Sequence, residues 1–196
     1  MRRVEFLARH IKEGRVLDVG NLDKGGAFHR QLIQKFPRCS FFGLDVIDQK
    51  KLGVNFPNQK IGSVETADFP DNFFDSLYLG QVFEHTWEPK KVLDQCYRIL
   101  KPGGVVILDT PNVYALSRMI RYGLTGRDVI LGNPDHKLFY SRAMLEHLFE
   151  SSHLKLKELL TENVFAFKGK LLPLPTFGTF KFLGECLMGA AEKRNE

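Results

Sequence analysis

The chain has 196 residues, 43% hydrophobic and 26% charged, enough for one full core and too apolar for a disordered protein. Its net charge of +5 sits in scattered pairs such as Lys50-Lys51 and Lys90-Lys91 and forms no stripe, so composition gives no nucleic-acid footprint. There is no leader pattern and no uncharged run near the ~20 residues of a membrane span, and the three widely spaced cysteines suit a reducing, cytoplasmic setting.

Val4, Leu7, Ala8 and Ile11 recur at helical spacing and predict a helix over 2–13, closed by Gly14. The stretch that follows, RVLDVGNLDKGG at 15–26, organises the rest. Val16, Leu17 and Val19 form a short buried strand carrying one acid, Asp18, and the strand ends at Gly20. The chain then turns into the helical pattern Phe28, Leu32, Ile33, Phe36, stopped by Pro37. Such a strand, glycine turn and helix opening lets the backbone approach a nucleotide-like ligand. A second buried strand, 41–45, ends in Asp45, a carboxylate placed to accept both hydroxyls of a ribose.

A loose helical turn is expected around Lys50 and Lys51, a short strand at 59–62 and a fourth strand at 74–79. Pro89 opens a helix with the apolar stripe Val92, Leu93, Cys96, Leu100; residues 101–104 (KPGG) end it, and 105–108 form a fully apolar strand. Beyond Asn112 the spacing fits a helix over 113–122, a glycine-rich loop, and a helix capped by Ser141 that buries Met144, Leu145, Leu148 and Phe149. The tail reads as two neighbouring strands, 154–167 and 184–192, with Pro173 and Pro175 leaving their connection unstructured. Strands alternating with helices imply a parallel sheet with right-handed crossovers.

Four segments then fall in the order and spacing of one family. Gly62-Ser-Val-Glu65 with Phe69-Pro-Asp-Asn-Phe-Phe-Asp75 resembles G-D-A-E followed by F-P-D-x-S-F-D. Gln81-Val-Phe-Glu-His85 resembles E-V-x-E-H, Arg98-Ile-Leu-Lys-Pro-Gly-Gly104 matches R-x-L-K-P-G-G, and Asp109-Thr-Pro-Asn112 is a common continuation. On these motifs the chain resembles the class I S-adenosylmethionine-dependent methyltransferases, in the type 11-like small-molecule branch that includes quinone-biosynthesis enzymes. The resemblance implies an α/β, Rossmann-like seven-stranded sheet in the order 3-2-1-4-5-7-6, with strand 7 antiparallel. It implies one domain over 1–196 with a substrate-side insert at 113–140, and S-adenosylmethionine as cofactor.

By the same resemblance, Gly20 and Asn21 approach the methionine part of the cofactor, with Asp18 organising the loop. Asp45 is the ribose ligand, Val46 beside it belongs to the cofactor-binding set, Ser63 and Val64 bracket the adenine edge, and Gly80 and Gln81 floor the site near the sulfonium. The chain departs from the family's D-x-G-x-G-x-G at Leu22 and Lys24, and Gly25-Gly26 suggests a loop longer by one residue. Ser63 replaces the usual Asp, so one adenine contact is expected to be weaker. His85 and His136 are the candidate bases; a histidine bonded to structure is the alternative for His85 and a turn cap for His136. Some quinone methyltransferases associate a divalent metal with two glutamates and the histidine of the E-V-x-E-H segment. Gln81 stands where the first glutamate would be, so no metal is expected. Trp87 and Tyr114 are candidates for an aromatic pocket or for core.

The implied partner is a small-molecule or lipid- or glycan-linked acceptor. Residues 171–182 and 113–135 could wall an apolar acceptor pocket if Phe177, Phe180 and Phe182 are not simply core or a dimer contact. A nicotinamide oxidoreductase would need G-x-G-x-x-G, which is absent, and a nucleic-acid amino-methyltransferase would need [DN]-P-P-[YF] where the chain reads Gly80-Gln-Val-Phe83. A methyltransferase-like scaffold that binds cofactor without catalysis is the remaining alternative.

Overall fold

Short apolar runs alternating with amphipathic stretches can bury both kinds of face when the strands lie side by side between layers of helices. The computed structural model has that arrangement and describes residues 3–126, 133–162, 164–167, 170–173, 179 and 182–194. Five strands run parallel: β1 (Gly14–Val19), β2 (Cys39–Asp45), β3 (Gln59–Ile61), β4 (Phe74–Gly80) and β5 (Leu100–Pro111). After β6 (Leu154–Thr161), a hairpin of β7 (Val164–Phe167) and β8 (Lys170–Pro173) precedes β9 (Cys186–Lys193). The large sheet has the order β3-β2-β1-β4-β5-β9-β6, with β9 antiparallel to both neighbours. This is the expected order, with β9 in the place of strand 7. The helices are α1 (Arg3–His10), α2 (Ala27–Lys35), α3 (Pro89–Ile99), α4 (Leu116–Thr125) and α5 (Arg142–Glu150).

The period-2 alternation of the strands sorts the core into two layers. Leu17, Leu77, Leu79, Val106 and Leu108 pack with Val92, Leu93 and Cys96 of α3 and Leu145 and Phe149 of α5. Their neighbours in sequence, Val16, Tyr78, Val105 and Ile107, pack on the other side with Phe6 and Leu7 of α1 and Leu32 of α2.

Several expected boundaries move. Residues 101–104 do not end the helix; they lie inside β5 as an irregularity, where Phe74 pairs with Leu100 and Ser76 already pairs with Val105. The extra residues are accommodated by Gly103 at φ 73° and by Asp75, whose carboxylate accepts from Lys101 Nζ at 2.7 and 2.8 Å and from the Arg15 amide at 2.8 Å. Residues 154–167 split into β6 and the first hairpin strand, and Pro173 pairs with Val164 instead of lying in an unstructured connection. Proline is tolerated there because the hairpin edge requires no ladder donor from it. Ser141 does cap α5, its Oγ accepting from the Met144 amide at 3.2 Å, but Met144 itself is 51% exposed and not core.

Three surface carboxylates tie elements together and set an acid limit. Burial works against Asp75, but hydrogen bonds from Lys101 and Arg15 and their charges hold its carboxyl below the usual range. Glu158 is held low by His10 and Arg9 after the same opposition from burial, and Glu192 by Lys157 and Lys12. A carboxyl with a depressed folded pKa is protonated first in the unfolded chain. Its stabilisation is therefore present above the ordinary carboxylate pKa of about 4 and lost as pH falls below that. Urea midpoints measured from pH 6 down to pH 3 are expected to fall most steeply below about pH 4, and Asp75→Asn flattens that fall.

Candidate functional site

The carboxyl ends of β1, β2 and β4 open together, because the chain leaves each strand there for a crossover and the connections diverge. Between them lies a cavity of about 230 Å³. From β1 it is lined by Val19 and Gly20, from β2 by Leu44, Asp45 and Val46, and from the turn after β3 by Gly62 to Glu65. The loop after β4 adds Gln81, Val82, His85 and Thr86. Of the residues singled out by sequence, Gly20, Asp45, Val46, Ser63, Val64, Gln81 and His85 share this one cavity.

Gly20 has φ 69°, and a Cβ there would stand 3.1 Å from Val82, so glycine serves both the turn and the opening. Asp45 ends β2 and is buried; its Oδ2 accepts from the Leu22 amide and its Oδ1 from the Ile47 amide, both at 2.9 Å. Each carboxylate oxygen keeps a further lone pair, and the residue borders the cavity. Ser63 turns its hydroxyl to the Glu65 amide at 3.2 Å, capping a single 3-10 turn that carries the buried Val64. Val46 is 73% exposed at the rim. The Thr86 hydroxyl donates to the Glu65 carboxylate and so fastens the post-β4 loop to the post-β3 turn.

Four of the expected residues are not among those lining this cavity. Asp18 lies 2.7 Å from His29 Nδ1, both buried, so the acid fastens α2 to β1 and does not organise the loop directly. Asn21 exchanges two hydrogen bonds with the Gln59 amide, at 2.8 and 3.0 Å, which ties the β1 loop to β3. Gly80 ends β4 where a Cβ would meet the Tyr78 hydroxyl at 2.3 Å. His136 stands beside His85, ring centroids 4.9 Å apart, on a segment pinned by the Lys137 and Leu138 amides donating to the Glu84 carbonyl at 2.6 and 3.2 Å. Trp87 and Tyr114 are 70% and 58% exposed, neither of them core.

The substituted glycine loop has a clear conformational signature. Leu22 is buried, while Lys24, Gly25 and Gly26 stand in succession at φ 49°, 67° and 73°. Lys24 thus occupies a left-handed position where glycine would be at ease. Lys24→Gly is expected to stabilise the fold by about 0.5–1 kcal/mol, the relief exceeding the added entropy of the unfolded chain. That corresponds to a Tm rise of roughly 1–4 °C; a fall would show that the lysine is unstrained.

Two groups underlie the site: Asp109, whose role the sequence did not indicate, and Glu84, the acid of the E-V-x-E-H-like segment. Asp109, buried near the end of β5, accepts from Tyr78 Oη at 2.5 Å, Gln81 Nε2 at 2.6 Å and Arg3 Nη2 at 2.7 Å. Gln81 itself is at φ 56°, and its amide donates to the Asp109 carbonyl at 2.9 Å, so the acid fixes both side chain and backbone of the cavity floor. Glu84 is buried; its Oε2 accepts from Thr110 Oγ1 at 2.9 Å, and burial pushes its pKa up to about 7 despite that bond. His136 is pushed below its ordinary value, by burial first and by His85 and Arg118 next, which favours the neutral ring.

A second cavity, of about 460 Å³, lies beyond β5 and shares no lining residue with the first; it is bordered by Asn112, Tyr114, Met119, Phe182 and Leu183 among others. Phe182 is 43% exposed, whereas Phe177 and Phe180 lie outside the described residues. No described helix is long and apolar enough to cross a membrane.

Residues 17–108 match the methyltransferase domain family. A probable S-adenosylmethionine-dependent methyltransferase of Mycolicibacterium smegmatis is 32% identical over 99 residues, covering 50% of this chain and 35% of that protein. A ubiquinone biosynthesis O-methyltransferase of Pseudomonas fluorescens is 27% identical over 175 residues, covering 81% of this chain and 73% of that protein. The chain thus spans about a third of the first relative's length and about three quarters of the second's. In fold, a SAM-dependent methyltransferase of Archaeoglobus fulgidus superposes with a TM-score of 0.70 at 17% identity, over 97% of this chain and 90% of that one. The residues around the first cavity fit that family's cofactor: a glycine at the tight approach, an acid with free lone pairs at the end of β2, and apolar walls from Leu44, Val64 and Val82. With the sheet order, the matched domain and these relatives in agreement, residues 17–108 carry a methyltransferase domain, and the chain is similar to S-adenosylmethionine-dependent methyltransferases in sequence and to their fold in sheet order.

Proposed function

We propose that this chain acts as one catalytic domain, with 113–140 as a substrate-side insert, and transfers a methyl group to the oxygen of a small acceptor that has an apolar body. The class of acceptor is quinone-like or lipid- or glycan-linked. The observation that carries the reading is the meeting of Gly20, Asp45, Ser63, Val64 and Gln81 around one cavity with His85 in its wall. Preference for a hydroxyl acceptor draws on the histidines beside that wall and on the Pseudomonas relative, named as an O-methyltransferase.

In this reading Asp45, with Val46 beside it, accepts from the ribose hydroxyls. Ser63 and Val64 border the adenine, while Gly20, Asn21, Gly80 and Gln81 shape the methionine end and Asp18 steadies α2 behind it. When bound, S-adenosylmethionine supplies a methyl group activated by its sulfonium. The chain's own task is to hold the acceptor oxygen in line at ~3 Å and to exclude water. The acceptor's proton leaves toward His85 and His136, either to an imidazole or to a group that the imidazoles hold. Nothing in this scheme calls on nucleic acid or a membrane span.

The test is release of S-adenosylhomocysteine on mixing the protein with S-adenosylmethionine and a panel of phenols and quinols. Release that requires a free hydroxyl, and that drops at least 10-fold in His85→Gln, supports the proposal. Firm cofactor binding without release for any hydroxyl acceptor would instead favour the binding scaffold.

A further inference from the structure

Gln81 lines the first cavity with an amide whose two ends differ chemically, and its partners decide which end is left for a ligand. Its Nε2 lies 2.6 Å from Asp109 Oδ1, and the same oxygen takes Arg3 Nη2 at 2.7 Å. A guanidinium can only donate, so Oδ1 is an acceptor, and the end of the Gln81 amide that faces it is the NH2 group. The Tyr78 hydroxyl, 2.5 Å from Oδ2, holds the carboxylate in that orientation. The backbone is pinned as well: Gln81 stands at φ 56°, and its amide donates to the Asp109 carbonyl at 2.9 Å.

With Nε2 committed, the carbonyl oxygen is the polar end that remains. Among the described residues no donor reaches it. The loop after β4 brings no acid to the lining, only Gln81, Val82, His85 and Thr86; the acids Asp45 and Glu65 belong to β2 and to the turn after β3. A positive charge placed at the Gln81 end therefore meets a neutral oxygen whose direction is set by an ion pair behind it.

We propose that Gln81 reads the charge of the cofactor: its carbonyl oxygen, aimed by the Arg3–Asp109 pair, faces the sulfonium, so the cavity holds S-adenosylmethionine more tightly than the neutral thioether S-adenosylhomocysteine. This role rests on the cofactor placement given under the proposed function, with the methionine end at Gln81. An ion–dipole contact gains strength where water is excluded, and the electron-poor methyl of a sulfonium donates weakly to a carbonyl oxygen. When the methyl leaves, its bonding electron pair stays on sulfur and the charge disappears, so the contact weakens as product forms. The departure from E-V-x-E-H at this position fits the same arrangement. A glutamate in the same rotamer would set a second carboxylate 2.6 Å from Asp109, whereas glutamine turns that meeting into a hydrogen bond.

The test is calorimetric titration of the full chain with S-adenosylmethionine and with S-adenosylhomocysteine, read as the ratio of the two Kd values. Gln81→Met keeps the length of the side chain and the same backbone demand, and removes the carbonyl. It is expected to weaken S-adenosylmethionine by about 5-fold or more while S-adenosylhomocysteine changes by less than about 2-fold. A residue that acts only through the shape of the floor would shift both compounds alike, and that result overturns the role. Gln81→Asn is the second arm if the methionine variant does not fold, because asparagine tolerates positive φ. Its shorter amide does not span from Asp109 to the ligand, so the same loss of preference is expected, and an unchanged ratio again overturns the role. A wild-type chain that binds neither compound would remove the cofactor placement itself, whereas equal shifts in the variants remove the charge reading alone.

Discussion

Replacing Asp45 by Ala is expected to weaken S-adenosylhomocysteine binding by roughly 10- to 150-fold, or about 1.5–3 kcal/mol, in calorimetry. The acid is the last residue of β2 and buried, and it does two jobs at once. Through the Leu22 and Ile47 amides it holds the β1 loop and the β2 exit in place, and toward the cavity it offers its remaining lone pairs. Truncation removes a charge-assisted acceptor and leaves two backbone donors to water. Thermal unfolding of the free variant separates the two jobs: a small Tm change with a large loss of affinity assigns the effect to the ligand. An unchanged affinity would make Asp45 only a loop anchor.

The largest stability effect is expected at Asp109. Asp109→Ala should lower unfolding free energy in urea by about 3–5 kcal/mol, since it strands the buried Tyr78 hydroxyl, frees the Gln81 side chain that floors the cavity and leaves a void beside Arg3. Tyr78 is 3% exposed and Gln81 is held at a left-handed backbone angle, so neither relaxes without moving the cavity floor. Arg3 is different: its side chain is 36% exposed and regains solvent when unpaired. Arg3→Ala still leaves the buried Asp109 carboxylate without a counter-charge, though with Tyr78 and Gln81 donating to it, and should cost about 1–3 kcal/mol, less than the loss of Asp109 itself. A cost near zero at Asp109, or equal costs at both positions, would contradict this picture of the network.

What the sequence made legible follows from how local each signal is. The sheet order and its antiparallel strand came through because β2, β4 and β5 carry short apolar runs, that of β1 is broken only by Asp18, and the family motifs fall at the strand ends. Asp45 was visible for the same reason, as an acid closing such a run. The KPGG segment misled because glycine and proline there read as a helix stop, whereas the strand absorbs them through Asp75, a partner far away in sequence. Asp109 and Arg3 carried no local sign of their pairing, which joins α1 to the end of β5 only after folding. Glu84 had a signal, its place in the E-H pair. The sequence could not bring His136 beside it, since a loop and two backbone hydrogen bonds decide that approach.

A crystal structure of the chain grown with S-adenosylhomocysteine would locate the cofactor site. Binding is expected in the micromolar range, about −8 kcal/mol, sufficient for occupancy at millimolar ligand. Density is expected in the cavity at the ends of β1, β2 and β4, with the ribose hydroxyls on Asp45, the adenine beside Val64, and the sulfur facing Gln81 and His85. Density elsewhere, or a ribose that leaves Asp45 uncontacted, would contradict it.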